Sequence, residues 1–203
     1  MIGEDLGTVE DEIRETLARF GILSYRLFYF EKRDGGEFRV PAEYPAQSLV
    51  SSTTHDLPTL AGFWLGTDIA ARHAAGILDD AALRAQSESR RLEKQKMLDA
   101  LFFERLMPPH FPRDASAYPE MTGELHHAIA GFLARTPSQL WAINQEDLTK
   151  EPAQQNLPGT TWQYPNWSRK MKFTLEQLRS DKSARDFTAM FRSWLERTGR
   201  LNP

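Results

Sequence analysis

Apolar residues first recur at helical spacing at Val9, Ile13, Leu17 and Phe20. Thr8 stands as the N-cap, and Glu10, Asp11 and Glu12 favour the positive end of the predicted helix. Gly21 stops it. The pattern then changes to an aromatic run over 25–30, bounded by Arg33-Asp34-Gly35-Gly36, which predicts a strand followed by a turn. Pro41 and Pro45 keep the next stretch irregular. A second strand is predicted over 48–53, leading into Thr54-His55-Asp56. Pro58 suits the first turn of a helix carrying Leu60, Phe63 and Trp64 inward.

Residues 80–106 read as a long helix, apolar at Leu83, Met97, Leu98, Leu101 and Phe102 but nearly all polar over 85–96. Its middle is therefore expected in water, with Arg90, Arg91, Lys94 and Lys96 as a solvated face. Pro108, Pro109, Pro112 and Pro119 mark a loop, after which Leu125, Ile129, Phe132 and Leu133 return to helical spacing. A third strand is predicted over 139–145, polar at its end, where Glu146 and Asp147 follow. A turn-rich stretch covers 156–166, and Phe187, Met190, Phe191, Trp194 and Leu195 share one face of a last helix ending near Gly199. Strand-to-helix alternation predicts an α/β fold with a parallel sheet under covering helices. Polar residues gather at the strand C-terminal ends, where barrel enzymes hold their chemistry, yet only three strands are evident against the eight of a closed barrel.

Composition narrows the classes. The chain has 203 residues, 40% hydrophobic and 26% charged, as a folded globular protein has. Its net charge of -3 comes from 28 acidic and 25 basic residues well mixed along the sequence, so no electropositive surface for nucleic acid is expected. The absence of cysteine removes disulfide and thiolate chemistry and suits a reducing compartment. The N-terminus shows no charged-then-apolar leader and no apolar stretch is long enough to span a bilayer, so the expected location is cytoplasmic, without membrane contact. Adjacent His126 and His127 cannot share one helix face, and His73 and His110 lack ligand-spaced partners. No metal site is expected.

Three clusters sit at predicted element ends: Gly3-Glu4-Asp5-Leu6-Gly7, Thr53-Thr54-His55-Asp56, and Asn156-Leu157-Pro158-Gly159-Thr160 with Tyr164-Pro165-Asn166-Trp167 after it. A carboxyl group pressed between strand and helix, as Glu4 would be, is desolvated and suits a general acid. A second carboxylate, Asp56, suits an oxocarbenium-like transition state or a sugar hydroxyl. The plainer alternative is helix capping, with Asp56 serving the helix that begins at Pro58. Trp64, Trp141 and Trp194 fit apolar faces, whereas Trp162 and Trp167 lie in a polar stretch where a ring could stack on a sugar or pack on the body of the fold.

In this order the clusters resemble the amylomaltase or 4-α-glucanotransferase family, glycoside hydrolase family 77, over essentially the whole chain. The resemblance implies a partial TIM (β/α)8 barrel in which 25–30, 48–53 and 139–145 are strands six, seven and eight. Residues 1–203 would be the C-terminal part of one catalytic domain, lacking its N-terminal half, with 67–137 a helical insertion between strands seven and eight. It makes Glu4 the general acid/base, Asp56 the transition-state stabiliser, His55 a sugar contact, and Asn156, Gly159 and Thr160 candidate glycan contacts. The family nucleophile is an Asp in an Arg-x-Asp-His context; here Arg179-Ser180-Asp181 is followed by Lys182 and matches no such motif. The implied substrates are α-1,4-glucans (maltodextrins), with no cofactor, and the chain alone is expected to be inactive. A complementing N-terminal half or self-association is expected to cover the exposed barrel edges. Two other readings stand beside it: a non-catalytic maltodextrin-binding module, and a helical structural protein whose motifs are caps.

Overall fold

Three parallel strands set the frame of the computed structural model, which describes residues 1–201. β1 (Ser24–Leu27), β2 (Ser48–Ser51) and β3 (Leu140–Trp141) pair in the order β1-β2-β3. The register aligns Ser24 with Ser48, Leu27 with Ser51, and Val50 with Trp141. An isolated parallel bridge between Ile2 and Leu23 adds one rung outside β1. Parallel neighbours need crossovers, and helices supply them. α1 (Asp11–Arg19) lies between the Ile2 rung and β1, and α2 (Leu60–Leu65), α3 (Thr67–Ala74), α4 (Asp80–Phe103) and α5 (Gly123–Ala134) lie between β2 and β3. After β3 come α6 (Gln145–Leu148), α7 (Leu175–Ser180) and α8 (Lys182–Arg197).

The core forms where α2, α4 and α5 close over the sheet. Phe28 packs its ring 5.0 Å from that of Phe38 and 5.2 Å from that of Phe132. Val50, Trp64, Met97, Leu98, Leu101, Leu125 and Ile129 complete the buried cluster. The Trp64 indole N–H donates to the Tyr118 carbonyl at 2.8 Å, so this fully buried ring keeps its donor paired. α5 is apolar on almost every side because it is packed on two: Ile129 and Phe132 face the core, while Ala130 and Ala134 meet Trp194 of α8. Among the described residues no helix is long and apolar enough to cross a membrane.

Several sequence expectations shift. The first strand stops at Leu27, where the chain turns with the N–H groups of Phe30 and Glu31 both donating to the Leu27 carbonyl. Phe28 and Tyr29 are adjacent yet both buried in the same core cluster, whereas a strand would point two successive side chains to opposite faces. The third strand pairs only at Leu140–Trp141, since Asn144 already occupies the N-cap position of α6. Glu10, not Thr8, precedes α1, and the apolar positions Ile13 and Phe20 of that helix remain 51% and 77% exposed. The expected solvated face of the long helix holds for Arg91, which pairs with Glu88. It fails for Arg90, whose guanidinium makes two 2.9 Å bonds to buried Asp68 and stacks 3.9 Å from the Phe63 ring centre, and for Lys94 over Trp64. Packing against α3 and α2 draws long side chains back over apolar rings.

A small cavity of about 20 Å³ separates the end of β2 from α5 and α8, with Ser52, His126, Asp147 and Phe187 in its walls. Burial, with Lys150 and His127 nearby, pushes His126 down to about 4. Burial pushes Asp147 up to about 6 against the opposing bonds from Ser52 and the Leu60 N–H. The two effects oppose each other. A neutral buried His stabilises above its unfolded value and loses that contribution as pH falls towards 4; a carboxyl raised on folding stabilises below its unfolded value and loses that contribution as pH rises towards 6.

Replacing His126 by Gln is therefore expected to make stability fall more steeply between pH 4 and 6 as pH rises, because the Asp147 slope is left unopposed. Asp147→Asn should tilt the same window the other way, each tilt on the order of 2–3 kcal/mol in chemical denaturation. Packing yields a second expectation. A methyl added at Gly131 meets the Trp194 indole, so Gly131→Ala should lower stability by about 1–3 kcal/mol, while Gly123→Ala, with open space around it, should not lower it. Thermal denaturation of both variants checks this.

Candidate active site

Because the strands are parallel, their C-terminal ends open on the same side, and the loops that leave them enclose a cleft of about 510 Å³. Glu4, His55 and Asp56 line it, with Tyr25 from within β1, Phe30 from the turn after it, and Asn144, Glu146 and Gln154 from the segment after β3.

Glu4 enters from the rung at Ile2. Its neighbour Asp5 turns inward and is only 3% exposed. One Asp5 oxygen accepts the Tyr25 backbone N–H at 2.7 Å and the other accepts from Arg14 at 2.6 Å, with Arg26 at 3.9 Å. This anchors the loop to β1 and leaves Glu4 facing the cleft, its Oε1 accepting the Leu6 N–H at 3.1 Å. The expected desolvation of Glu4 is not found: the side chain is exposed, because no element among the described residues closes over it. Nor is it a helix cap, since α1 begins at Asp11 behind Glu10.

The second loop is built more tightly. Thr53 Oγ1 donates across it to the Pro58 carbonyl at 2.8 Å, and Thr59 rather than Asp56 caps α2, accepting the Gly62 N–H at 2.9 Å. Capping therefore does not account for Asp56. Its Oδ1 accepts from Asn156 Nδ2 at 2.5 Å, and Gln154, itself buried, donates to the Asn156 carbonyl at 2.6 Å. The Asn156 N–H closes on the His55 carbonyl at 3.1 Å. His55 Nε2 lies 3.4 Å from Asp56 Oδ2, and its ring sits 5.0 Å from that of Trp167. Trp167 adopts a left-handed backbone (φ 57°), held by its N–H to the Gln155 carbonyl at 2.9 Å.

Three of the expected site residues thus meet in one cleft, and Asn156 reaches it through Asp56. Gly159 and Thr160 do not line it. Gly159 takes φ 83°, which a side chain would oppose, and Thr160 donates to the Leu157 carbonyl at 2.6 Å while accepting from Asn166 at 2.8 Å. They shape the loop that Asn156 begins. Tyr25, Phe30, Asn144, Glu146 and Gln154 also line the cleft; for all but Tyr25, which lies within β1, the only signal in the sequence is adjacency to a strand end or to the Asn156 cluster. Burial pushes the Tyr25 hydroxyl up, a bond to Ser51 works against it, and the charge of Glu4 adds to the rise. No group of three or more His, Asp or Glu able to hold a metal occurs among the described residues. Chemically, the cleft offers an accessible carboxyl for proton exchange and a second carboxylate held in orientation to face positive charge.

The family model for 4-alpha-glucanotransferase matches residues 1–176. A 4-alpha-glucanotransferase of Haemophilus influenzae is 36% identical over 187 residues, 92% of this chain and 26% of that protein. One of Mycobacterium bovis is 36% identical over 171 residues, 82% of this chain and 22% of that protein. Among solved structures, an amylomaltase from Corynebacterium glutamicum aligns with a TM-score of 0.83 at 29% identity, over 94% of this chain and 28% of that one. An amylomaltase from Streptococcus agalactiae, solved in complex with acarbose, shares the fold with a TM-score of 0.60 at 18% identity, over 98% of this chain and 32% of its own. The chain spans about a quarter of the length of the curated relatives it matches. The family match runs unbroken from the Glu4 cluster through the Trp167 cluster, and the chain belongs to the 4-alpha-glucanotransferase family.

Proposed function

We propose that this chain carries the acid/base half of a retaining 4-α-glucanotransferase site, with Glu4 as general acid/base and Asp56 as transition-state stabiliser. The observation that carries the reading is the meeting of Glu4, His55 and Asp56, from loops far apart in sequence, in one cleft at the strand C-terminal ends. β1, β2 and β3 would be barrel strands six, seven and eight, and residues 67–137 a helical insertion. The sequence holds no Arg-x-Asp-His motif, so the nucleophile would come from a part of the enzyme outside this sequence, and the chain alone is inactive.

In the assembled site the nucleophilic Asp attacks the anomeric carbon of an α-1,4-glucan as Glu4 gives its proton to the departing oxygen. Asp56 lies where it faces the positive charge that develops on the sugar ring. The glycosyl ester that forms is opened by the 4-hydroxyl of an incoming glucan, whose proton returns to Glu4, so configuration is retained. Asn156 orients Asp56, and His55 reaches a sugar hydroxyl from its seat against Trp167. No cofactor takes part, and the absence of cysteine accords with action in the cytoplasm.

Glucose release from maltotriose tests this, with the chain mixed with a separately expressed upstream part of the Haemophilus influenzae relative. The chain alone should be silent and the mixture active, with Glu4→Gln and Asp56→Asn each lowering the rate by about a thousandfold or more. A mixture as active with Glu4→Gln as without it would sink the assignment. Calorimetric binding of maltoheptaose by a mixture that stays silent would replace it with a glucan-binding module.

A further inference from the structure

The loop that presents His55 and Asp56 is fastened at both feet to one carboxylate. Ser52, the last residue before the loop, donates its hydroxyl to Asp147 Oδ2. Leu60, the first residue of α2 after it, donates its backbone N–H to Asp147 Oδ1 at 2.7 Å. Asp147 arrives from α6, beyond β3, and is only 3% exposed. Its neighbourhood reinforces the grip: Asn144 Nδ2 donates to the Thr53 carbonyl at 3.0 Å, and Thr59 Oγ1 donates to the Glu151 carbonyl at 2.5 Å.

Burying a carboxylate is costly, and an apolar side chain of similar size would fill the space at less cost. What an apolar group cannot do is accept from two donors that stand on either side of a seven-residue loop, residues 53–59. The distance between those donors sets the span of the loop, and the span sets where its apex lies relative to Glu4.

We propose that Asp147 is a positioning residue for the site: it clasps the loop 53–59 and thereby places Asp56 and His55 in the cleft. The geometry of the clasp stands alone, and its consequence for turnover rests on the glucanotransferase reading above.

Site-resolved amide hydrogen exchange on the full chain tests the clasp, and the complemented mixture tests its consequence. Asp147→Ala should speed exchange at Asp56, Leu57 and Leu60 about tenfold or more, while the amides of β1 and α5 keep their protection. Asp147→Asn keeps an acceptor for the Leu60 N–H and should restore most of it. Ser52→Ala removes one foot alone and serves if Asp147→Ala does not fold. In the mixture, Asp147→Ala should lower kcat for maltotriose about tenfold with KM nearly unchanged, and Asp147→Asn should rescue it. Exchange at the loop equal to that of the unsubstituted chain, or exchange raised alike throughout the protein, overturns the proposal. A mixture silent even without substitution counts against the glucanotransferase reading and leaves the exchange result to decide the clasp.

Discussion

Parallel pairing of β1, β2 and β3 is the constraint from which the rest of the structure follows. It forces each strand to be followed by a crossover, so the helices are stacked where they cover the sheet, and it brings every strand to an end on the same side. β2, in the middle, has no free edge. Its serines are buried there and must find partners: Ser48 bonds to the Pro45 carbonyl and Ser138, and Ser51 to the Thr53 carbonyl. The side where the strands end is left to loops, and there the polar residues that no ladder can satisfy bond to one another across long stretches of sequence.

Adjacent carboxyl pairs divide the labour at that end. Asp5 is buried on Arg14 and the Tyr25 N–H, and Glu4 beside it lines the cleft. Asp147 is buried on Ser52 and Leu60, and Glu146 beside it lines the same cleft, where it accepts from Gln155 at 2.9 Å. In each pair the shorter side chain is the anchor and the longer one reaches out. The anchor is sequestered from water, where its hydrogen bonds are strong and any loss of a partner is costly. Its neighbour therefore inherits a fixed backbone. A side chain on such a backbone loses little further entropy when it meets a ligand, which is what preorganisation of a site requires.

Much of this was legible in the sequence, and what was not has a common cause. Period and composition identified the three strands, the long α4 and the amphipathic α8, because each is decided by which face is apolar. The three clusters were legible as site candidates because they sit at predicted element ends. The ends of strands were less so: Leu27 stops β1 because Phe28 and Tyr29 must both be buried, a demand of the tertiary core. Arg90 read as a surface charge until α3 brought Asp68 against it. Asp56 reads as cap or site in the sequence; in the structure Thr59 takes the cap of α2, and Asp56 accepts instead from Asn156, a hundred residues away in sequence and 2.5 Å away in space. Sequence spacing carries local geometry; it carries nothing of a hydrogen bond between two loops.

Glu4, unlike Asp5 beside it, is exposed. A carboxyl acts as a general acid in surroundings from which water is excluded. Asp5 places Glu4 in the cleft, but nothing among the described residues covers it. Under the proposed chemistry the dry wall must come with the glucan and with the rest of the enzyme. Phe30, 53% exposed, and Leu6 beside Glu4 already supply apolar surface in the same cleft. On this reading Asp56 is oriented before substrate arrives, whereas the surroundings of Glu4 are completed by it, so the two carboxyl groups answer to different parts of the assembly.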